Sequence, residues 1–503
     1  MAIPKEILAV KRPTNTIVVR YGKNSDRYGV RKRIGCKRVN GRNMPVTGPT
    51  IGHIRNGVYI AIEDEPIPVR KSARTAELKD WAGVVLADRV FHDILDDLKK
   101  LYAESDAEKI YCIALLRVCN PGIKDYELKE MYESSFLSEL FPNVALSKNT
   151  VSLFWKDIGK AYGSIIRFMQ SRSDFVKKNH HILVDGTLKS NESIANSLAD
   201  LSHKARIKGS RDISVLYAFD LDLMEPIASQ CYPGNMLDMT AYEDFISKCN
   251  IKRGVIISDK GIPANAAEAH FQKNPDLHYL NPIKRNSKFI KTHALYEYEN
   301  VLTEREEIQY KKVKVQGKDK WLYSFRDAEL ASSEEKAYLM NAKKANTYDH
   351  KDYVKRKQTF GTIVFESDLD LEPEKVYKMY EERWQIELVM RYYKSACEFD
   401  ETRVHYDYSV YGSEFCDFLS SILTFRMIKE FDKAGLMKKM TYSRIINLLI
   451  RAKKVRFDNG DWRLIKVSPS LENMLQSLEL LPRSSTPTHR NVGRPKKFNV
   501  DLV

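Results

Sequence analysis

The sequence predicts an α/β core with helical flanking regions, preceded by a basic module rich in short strands. Three observations carry this reading. From His180 onward, apolar runs of buried-strand type alternate with amphipathic helical stretches. Two of those runs stop on a carboxylate: His181-Ile182-Leu183-Val184 on Asp185, and Gly254-Val255-Ile256-Ile257-Ser258 on Asp259. The positive charge of the chain is confined to its ends.

The 503 residues carry a net charge of +15, of which residues 1–60 supply +11 and residues 483–503 supply +4, leaving the stretch between them neutral. Such a pattern suggests a folded body that holds a polyanion through its termini. A hydrophobic content of 43% is enough to fill the cores of several domains and excludes disorder throughout. The longest apolar stretch, Phe415–Ile428, is short and broken by Asp417 and Arg426, so no membrane span is expected. Residues Met1 to Lys11 show no cleavage-site pattern, and no signal peptide is expected. Seven cysteines, scattered and never spaced as C-x-x-C, fit a reducing cytoplasm better than a disulfide framework or a cysteine zinc site.

The elements follow in order. Residues 1–70 form the basic β-rich module, with a hairpin at Asn56-Gly57 and the clusters Arg31-Lys32-Arg33 and Lys37-Arg38 on loops or strand faces. Residues 71–175 are helical: Leu86, Val90, Ile94 and Leu98 recur at helical spacing, and Ser147 and Asn149 are helix-start residues. Residues 176–285 hold the first part of the α/β core. Its strands are expected at 181–184, 214–219, 227–232, 254–257 and 277–281, and its helices at 238–249 and 265–272. His180-His181 reads as a strand start, and Asp220 and Asp222 as turn residues. Residues 286–367 read as a mostly β insertion with charged hairpins such as Val315–Lys320. Residues 368–430 complete the core and contain a long amphipathic helix, 372–397; residues 431–482 are mainly helical, with a hairpin at Asn459-Gly460. Residues 483–503 form a Ser/Thr/Pro/Arg-rich tail expected to be mobile.

The chemistry concentrates in three places. An apolar strand that stops on an acid sets it at the sheet edge, where ligands bind in α/β folds. A single such Asp also serves as a cap or turn residue; two in succession narrow the choice. The third place is the long helix. Tyr380, Arg383, Glu387 and Lys394 fall within a sector about 60° wide, whereas Met379, Ile386, Val389, Met390 and Tyr393 define a separate, core-facing side. Glu381 and Glu382 point elsewhere, which singles out Glu387. An ordinary i,i+4 pair between Arg383 and Glu387 would account for part of the same pattern.

The run Tyr380-x-x-Arg383-x-x-x-Glu387-x-x-x-x-x-x-Lys394 resembles the Tyr–Arg–Glu–Lys signature of DDE transposases from bacterial insertion sequences, in the insertion-sequence-four group. Val184-Asp185-Gly186-Thr187 and Ile257-Ser258-Asp259-Lys260-Gly261 resemble that family's two Asp strands, and Tyr232-Pro233-Gly234-Asn235 with Asp238 a segment often found between them. The separations, 74 residues between the Asp residues and 128 to the Glu, match a group with a β-rich insertion before the Glu. Gly186 departs from the pattern, since many relatives carry a hydroxyl there; Thr187 keeps one nearby.

The resemblance implies an RNase H-like catalytic core. It makes Asp185, Asp259 and Glu387 the catalytic residues and the ligands of two Mg²⁺ ions, with Mn²⁺ able to substitute. Arg383 and Lys394 would contact phosphates of the transposon end, and Tyr380 would fix the cleaved strand. The partner would be double-stranded DNA, both the terminal inverted repeats and the target, held by a homodimer in a bacterial, nucleoid-associated setting.

Weaker candidates for DNA contact are Trp321, which could stack on a flipped base or fill a strand core, and Lys284 and Arg285, which follow the 277–281 strand. In the tail, Gly493-Arg494-Pro495-Lys496-Lys497 resembles an AT-hook, with Arg494 for the minor groove. A catalytically inactive, domesticated DNA-binding regulator would share the basic ends, and a nuclease of the same fold would differ in lacking strand transfer.

Overall fold

In the computed structural model the described residues are 3–21, 28–39, 41–55, 57–62, 76–191, 193–201, 210–236, 238–258, 267–381, 402, 404–457 and 460–482. The chain forms two units, Met1–Glu77 with Val455–Ser468, and Leu78–Lys454 with Pro469–Val503.

The first unit is built on a four-stranded antiparallel sheet with strands Thr16–Arg20, Tyr28–Val39, Arg42–Arg55 and Val58–Ala61 in sequence order. Both of its tight hairpins close on a glycine with positive φ: Gly41 at 74° between paired Val39 and Arg42, and Gly57 at 75° between paired Arg55 and Val58. A two-residue turn of this hand needs that conformation, which costs glycine least. The second hairpin is the one expected at Asn56-Gly57. Val18, Tyr28, Val30 and Ile54 form the core, with Ile3, Ile7 and Val10 packed against it. Only the inner end of the long hairpin is covered; residues 32–38 are exposed on the strand that carries both basic clusters.

The second unit is organised by a ten-stranded mixed sheet. From one edge the order is Asn300–Val301, Ile308–Lys314, Trp321–Asp327, Thr362–Ser367, Asp276–Pro282, Arg253–Ser258, His181–Ser190, Arg211–Asp220 and Asp200–Leu201, and Glu225–Pro233 also pairs with Arg211–Asp220. His181–Ser190, Arg253–Ser258 and Asp276–Pro282 run parallel to one another. Their neighbours on both sides are antiparallel.

The 286–367 stretch requires a correction. It is not mostly β, because helices occupy Ala328–Lys344 and His350–Lys357. Its strands also extend the central sheet: Thr362–Ser367 pairs with both Trp321–Asp327 and Asp276–Pro282. The first helix buries only Ala331 and Ala342, so its sequence lacks a strong apolar stripe; the signal it does carry is Asp327, whose carboxylate accepts from the Glu329 and Leu330 amides as an N-cap. The Val315–Lys320 hairpin is present, closed by Gly317 at φ 72°.

Helices Ala82–Lys99, Glu104–Cys119, Lys148–Lys160 and Tyr162–Ser173 account for most of the helical stretch before the sheet. Ser147 caps the third of them by accepting from the Thr150 amide, as the sequence suggests. The 27-residue helix Asp407–Lys433 packs against this helical layer and the sheet. It contains the apolar stretch Phe415–Ile428, and its two charges are matched inside the protein. Asp417 pairs with Arg117 and Lys189, and Arg426 with Asp93 and Glu225. Among the described residues no helix is long and apolar enough to cross a membrane.

Glycines set how closely this helix approaches its neighbour. A Cβ on Gly412 would lie 2.2 Å from the Trp155 carbonyl oxygen, and one on Gly159 would lie 1.7 Å from that of Tyr408. The two backbones touch, and no side chain fits between them. Gly234 has a similar role: its Cβ would lie 2.1 Å from the Asp212 carbonyl oxygen, while Asn235 donates to Asp200 at 2.7 Å. Pro233-Gly234-Asn235 therefore clamps one end of the sheet.

Candidate active site

The three parallel strands align their apolar residues in one row. Ile257 is in register with Leu183 on one side and Leu280 on the other, and Ser258 is in register with Val184. Ile182, Leu183 and Val184 are buried on the first strand, as are Val255, Ile256, Ile257 and Ser258 on the second. Burial on both faces explains why these segments read as continuous apolar runs.

Asp185 follows Val184, and burial changes at that point: Asp185 is half-buried and Gly186 exposed. One Asp185 carboxylate oxygen accepts from the Gly186 amide at 2.8 Å. The second strand ends at Ser258, whose hydroxyl donates to Asn281 at 2.7 Å and ties the strand end to its neighbour. Asp259 is the next residue in sequence and lies outside the described residues, as do Arg383, Glu387, Lys394 and Arg494.

Residues 373–381 are helical, the described part of the expected 372–397 helix. Val376, Tyr377 and Met379 are buried in the same core cluster as Phe325, Ile363 and Phe365. Tyr380 is partly buried, edge-on to Phe365 at 5.7 Å and near Tyr377 at 6.1 Å. Its ring therefore lies against the strand Thr362–Ser367. Val376, one turn earlier in the same sector, is fully buried, so the described part of the helix turns toward the core the side that the sequence reading made a polar stripe. Glu381 is exposed and pairs with Arg305.

Trp321 begins its strand opposite Ser367 and packs partly buried against the core. Lys312 and Lys314 place their ammonium groups 4.9 and 5.5 Å from its ring centroid, cation–π contacts that occupy its surroundings. Lys284 is exposed, two residues beyond the end of Asp276–Pro282. Arg285 makes a bidentate pair with Glu334 at 2.8 and 3.0 Å and donates to the Thr362 carbonyl at 2.8 Å. Its guanidinium is engaged in holding the sheet to the helix Ala328–Lys344.

The histidines open the first strand, as read. His180 pairs with Asp220 at 2.7 Å and His181 with Asp222 at 3.1 Å, at the end away from Asp185. Asp220 also accepts from the amides of Asp222 and Leu223, the behaviour of a turn residue.

Sequence reasoning misses the anchor of the strand that carries Asp185. Lys189, four residues along the same strand, is fully buried and pairs with Glu414 at 2.5 Å and Asp417 at 3.1 Å. Burial opposes its charge, but Glu414 and Asp417 outweigh that and hold the ammonium well above the ordinary lysine range. Arg117, which pairs with Asp417 and Asp125, extends the network into the helical layer. A lysine in a strand carries no local signal of such burial; its partners are more than 200 residues away in sequence.

Among the described residues no group of three His, Cys, Asp or Glu could hold a metal ion. The described geometry sets the Asp185 carboxylate beside the end of the parallel strand Arg253–Ser258, but not at the end of its own strand. The strand expected to stop at Val184 runs on to Ser190, paired throughout with Arg211–Asp220, so Asp185 is the fifth of its ten residues. Residues 177–410 match the family model of the transposase DDE domain. The match supports a DDE transposase, a class that acts on DNA and typically uses divalent metals. It covers the central sheet and the start of the long helix Asp407–Lys433, and its span includes Asp185, Asp259 and Glu387. No curated protein matches the chain.

Proposed function

We propose that the chain is a transposase of the insertion-sequence-four group that binds the terminal inverted repeats of its element, cleaves the ends and joins the resulting 3′-OH to target DNA. One observation carries the reading. The strand that contains Asp185 and the strand whose sequence continues into Asp259 are adjacent, parallel and level, with Val184 opposite Ser258. This is the arrangement a shared carboxylate site requires.

In this reading Asp185, Asp259 and Glu387 hold the metal. The donor set fits the group: three carboxylates offer only hard oxygen ligands, which suit Mg²⁺ or Mn²⁺. A pair of such ions, when bound, stabilises the attacking and leaving oxygens of an in-line phosphodiester displacement. The chain's own residues orient the DNA. Arg383 and Lys394 hold phosphates of the transposon end, and Tyr380 positions the cleaved strand. The buried pairs of Lys189 with Glu414 and Asp417 anchor the strand that carries Asp185, four residues beyond that acid. The active form would be a dimer that brings two ends together.

The test is cleavage of a duplex carrying the element's end. Asp259→Asn and Glu387→Gln should each abolish metal-dependent nicking. Undiminished nicking by either variant overturns the assignment. Joined end–target products distinguish a transposase from a nuclease of the same fold.

A further inference from the structure

We propose that the outer half of the hairpin Tyr28–Arg55 is a DNA-docking ribbon that lies in the major groove of a duplex. The strands of this hairpin are 12 and 14 residues long, yet only their inner ends meet the core. Irregular pairing between Val30 and Gly35 marks where the ribbon leaves that core. Such bulges sharpen the twist of a two-stranded ribbon, which helps it follow a helical groove.

Charge identifies the partner. The two strands contain seven Lys or Arg residues and no Asp or Glu. Lys32, Arg33, Lys37 and Arg38 are exposed and make no ion pair among the described residues. Cross-strand register sets Lys37 beside Met44 and Arg38 beside Asn43, so cations stand on both faces of the ribbon. A surface that is basic on both faces fits a groove walled by two phosphate backbones better than a flat anionic surface.

Size and chemistry choose the groove. A two-stranded ribbon enters the major groove, about 12 Å wide, and not the minor groove of about 6 Å. Ile34 and Met44 are 62% and 50% exposed, apolar groups of the kind that contact thymine methyls there. Residues 32–45 contain no Phe, Tyr or Trp, so the ribbon lacks the stacking platform that single strands require.

This inference rests on the transposase reading only for the identity of the DNA; binding is measured without cleavage, so either can fail alone. The full-length protein is titrated with a labelled mixed-sequence duplex, in chelator, over a range of salt. The ribbon variant combines Lys32→Gln, Arg33→Gln, Lys37→Gln and Arg38→Gln. A control with the same charge change carries Lys336→Gln, Lys343→Gln, Lys344→Gln and Lys355→Gln. The ribbon variant should bind at least about tenfold more weakly, with its slope of log affinity against log salt reduced by about 3 to 4. Methylation of guanine N7 in the duplex should weaken the unmodified protein. Equal binding and equal slope in the ribbon and control variants overturn the proposal. Indifference of the unmodified protein to N7 methylation overturns its placement in the major groove. Because all four side chains are exposed, folding is checked by an unchanged melting profile; should it change, N7 methylation on the unmodified protein decides.

Discussion

Val184 and Ser258 face each other in register on two adjacent parallel strands, each the last buried residue before an aspartate in the sequence. The register of these strands is fixed by apolar residues on both sides of Ile257, so a slip of one residue would bury the wrong side chains on every neighbour. The first prediction concerns the acid that follows Val184. Asp185→Asn should reduce metal-dependent cleavage by more than about a thousandfold while leaving duplex binding in chelator intact. Chelation should stop cleavage by the unmodified protein and Mn²⁺ should restore it, as read on a denaturing gel.

The second prediction concerns the buried cation behind that strand. Lys189→Met leaves Glu414 and Asp417 facing each other with less compensation, which should cost about 3–5 kcal/mol. The triple replacement Lys189→Met, Glu414→Gln, Asp417→Asn should recover part of that loss, as judged by denaturant unfolding.

The third prediction uses the helix crossing. Gly412→Ala and Gly159→Ala each force a methyl into a neighbouring backbone, at a cost of about 1–3 kcal/mol or more. Thermal melting should fall by several degrees for each. The double variant should cost less than the sum, because one forced separation of the helices relieves both contacts.

The fourth prediction is a pH dependence. Burial raises the pKa of Glu225, but Arg426, Lys429 and Arg172 outweigh burial and hold the carboxyl below its ordinary value of 4.5. A carboxyl depressed in the folded state contributes stability that is present above the unfolded pKa and lost as pH falls through the folded one. Glu225→Gln should therefore be destabilising at neutral pH, with the difference from the unmodified protein shrinking below about pH 4.5. Urea unfolding at a series of pH values measures it.

The fifth prediction separates a structural from a DNA-binding arginine. Arg285→Ala should lower stability by about 1–2 kcal/mol through loss of the Glu334 pair and leave duplex affinity unchanged. Melting and DNA titration of the same preparation check both halves.

Much of the core is legible locally. The apolar runs at 181–184 and 254–257 announce two strands, and Ser147 announces its helix by its cap. The first strand does not stop on its acid, however: it continues through Asp185 to Ser190, because Arg211–Asp220 pairs with it along that length. What escapes is long-range pairing. Nothing in the sequence near Thr362–Ser367 says that it will sit between Trp321–Asp327 and Asp276–Pro282. The helix Ala328–Lys344 is hidden because it buries only two alanines. The turn at Gly41 is preceded by an asparagine in sequence just as that at Gly57 is, but the basic strand before it lacks the apolar alternation that marks a hairpin.

The position of Thr362–Ser367 has a consequence for how the protein is made. This strand joins two half-sheets, one with the Asp185 strand and one from Asn300–Asp327. Until it leaves the ribosome, both halves expose unpaired edges. At about 5–20 residues per second, roughly 4–17 s pass between synthesis of Pro282, the end of the strand whose edge Thr362–Ser367 covers, and of Ser367. During that interval the nascent chain is exposed to edge-to-edge association. A message truncated before residue 362 would yield a polypeptide that cannot unite its two half-sheets.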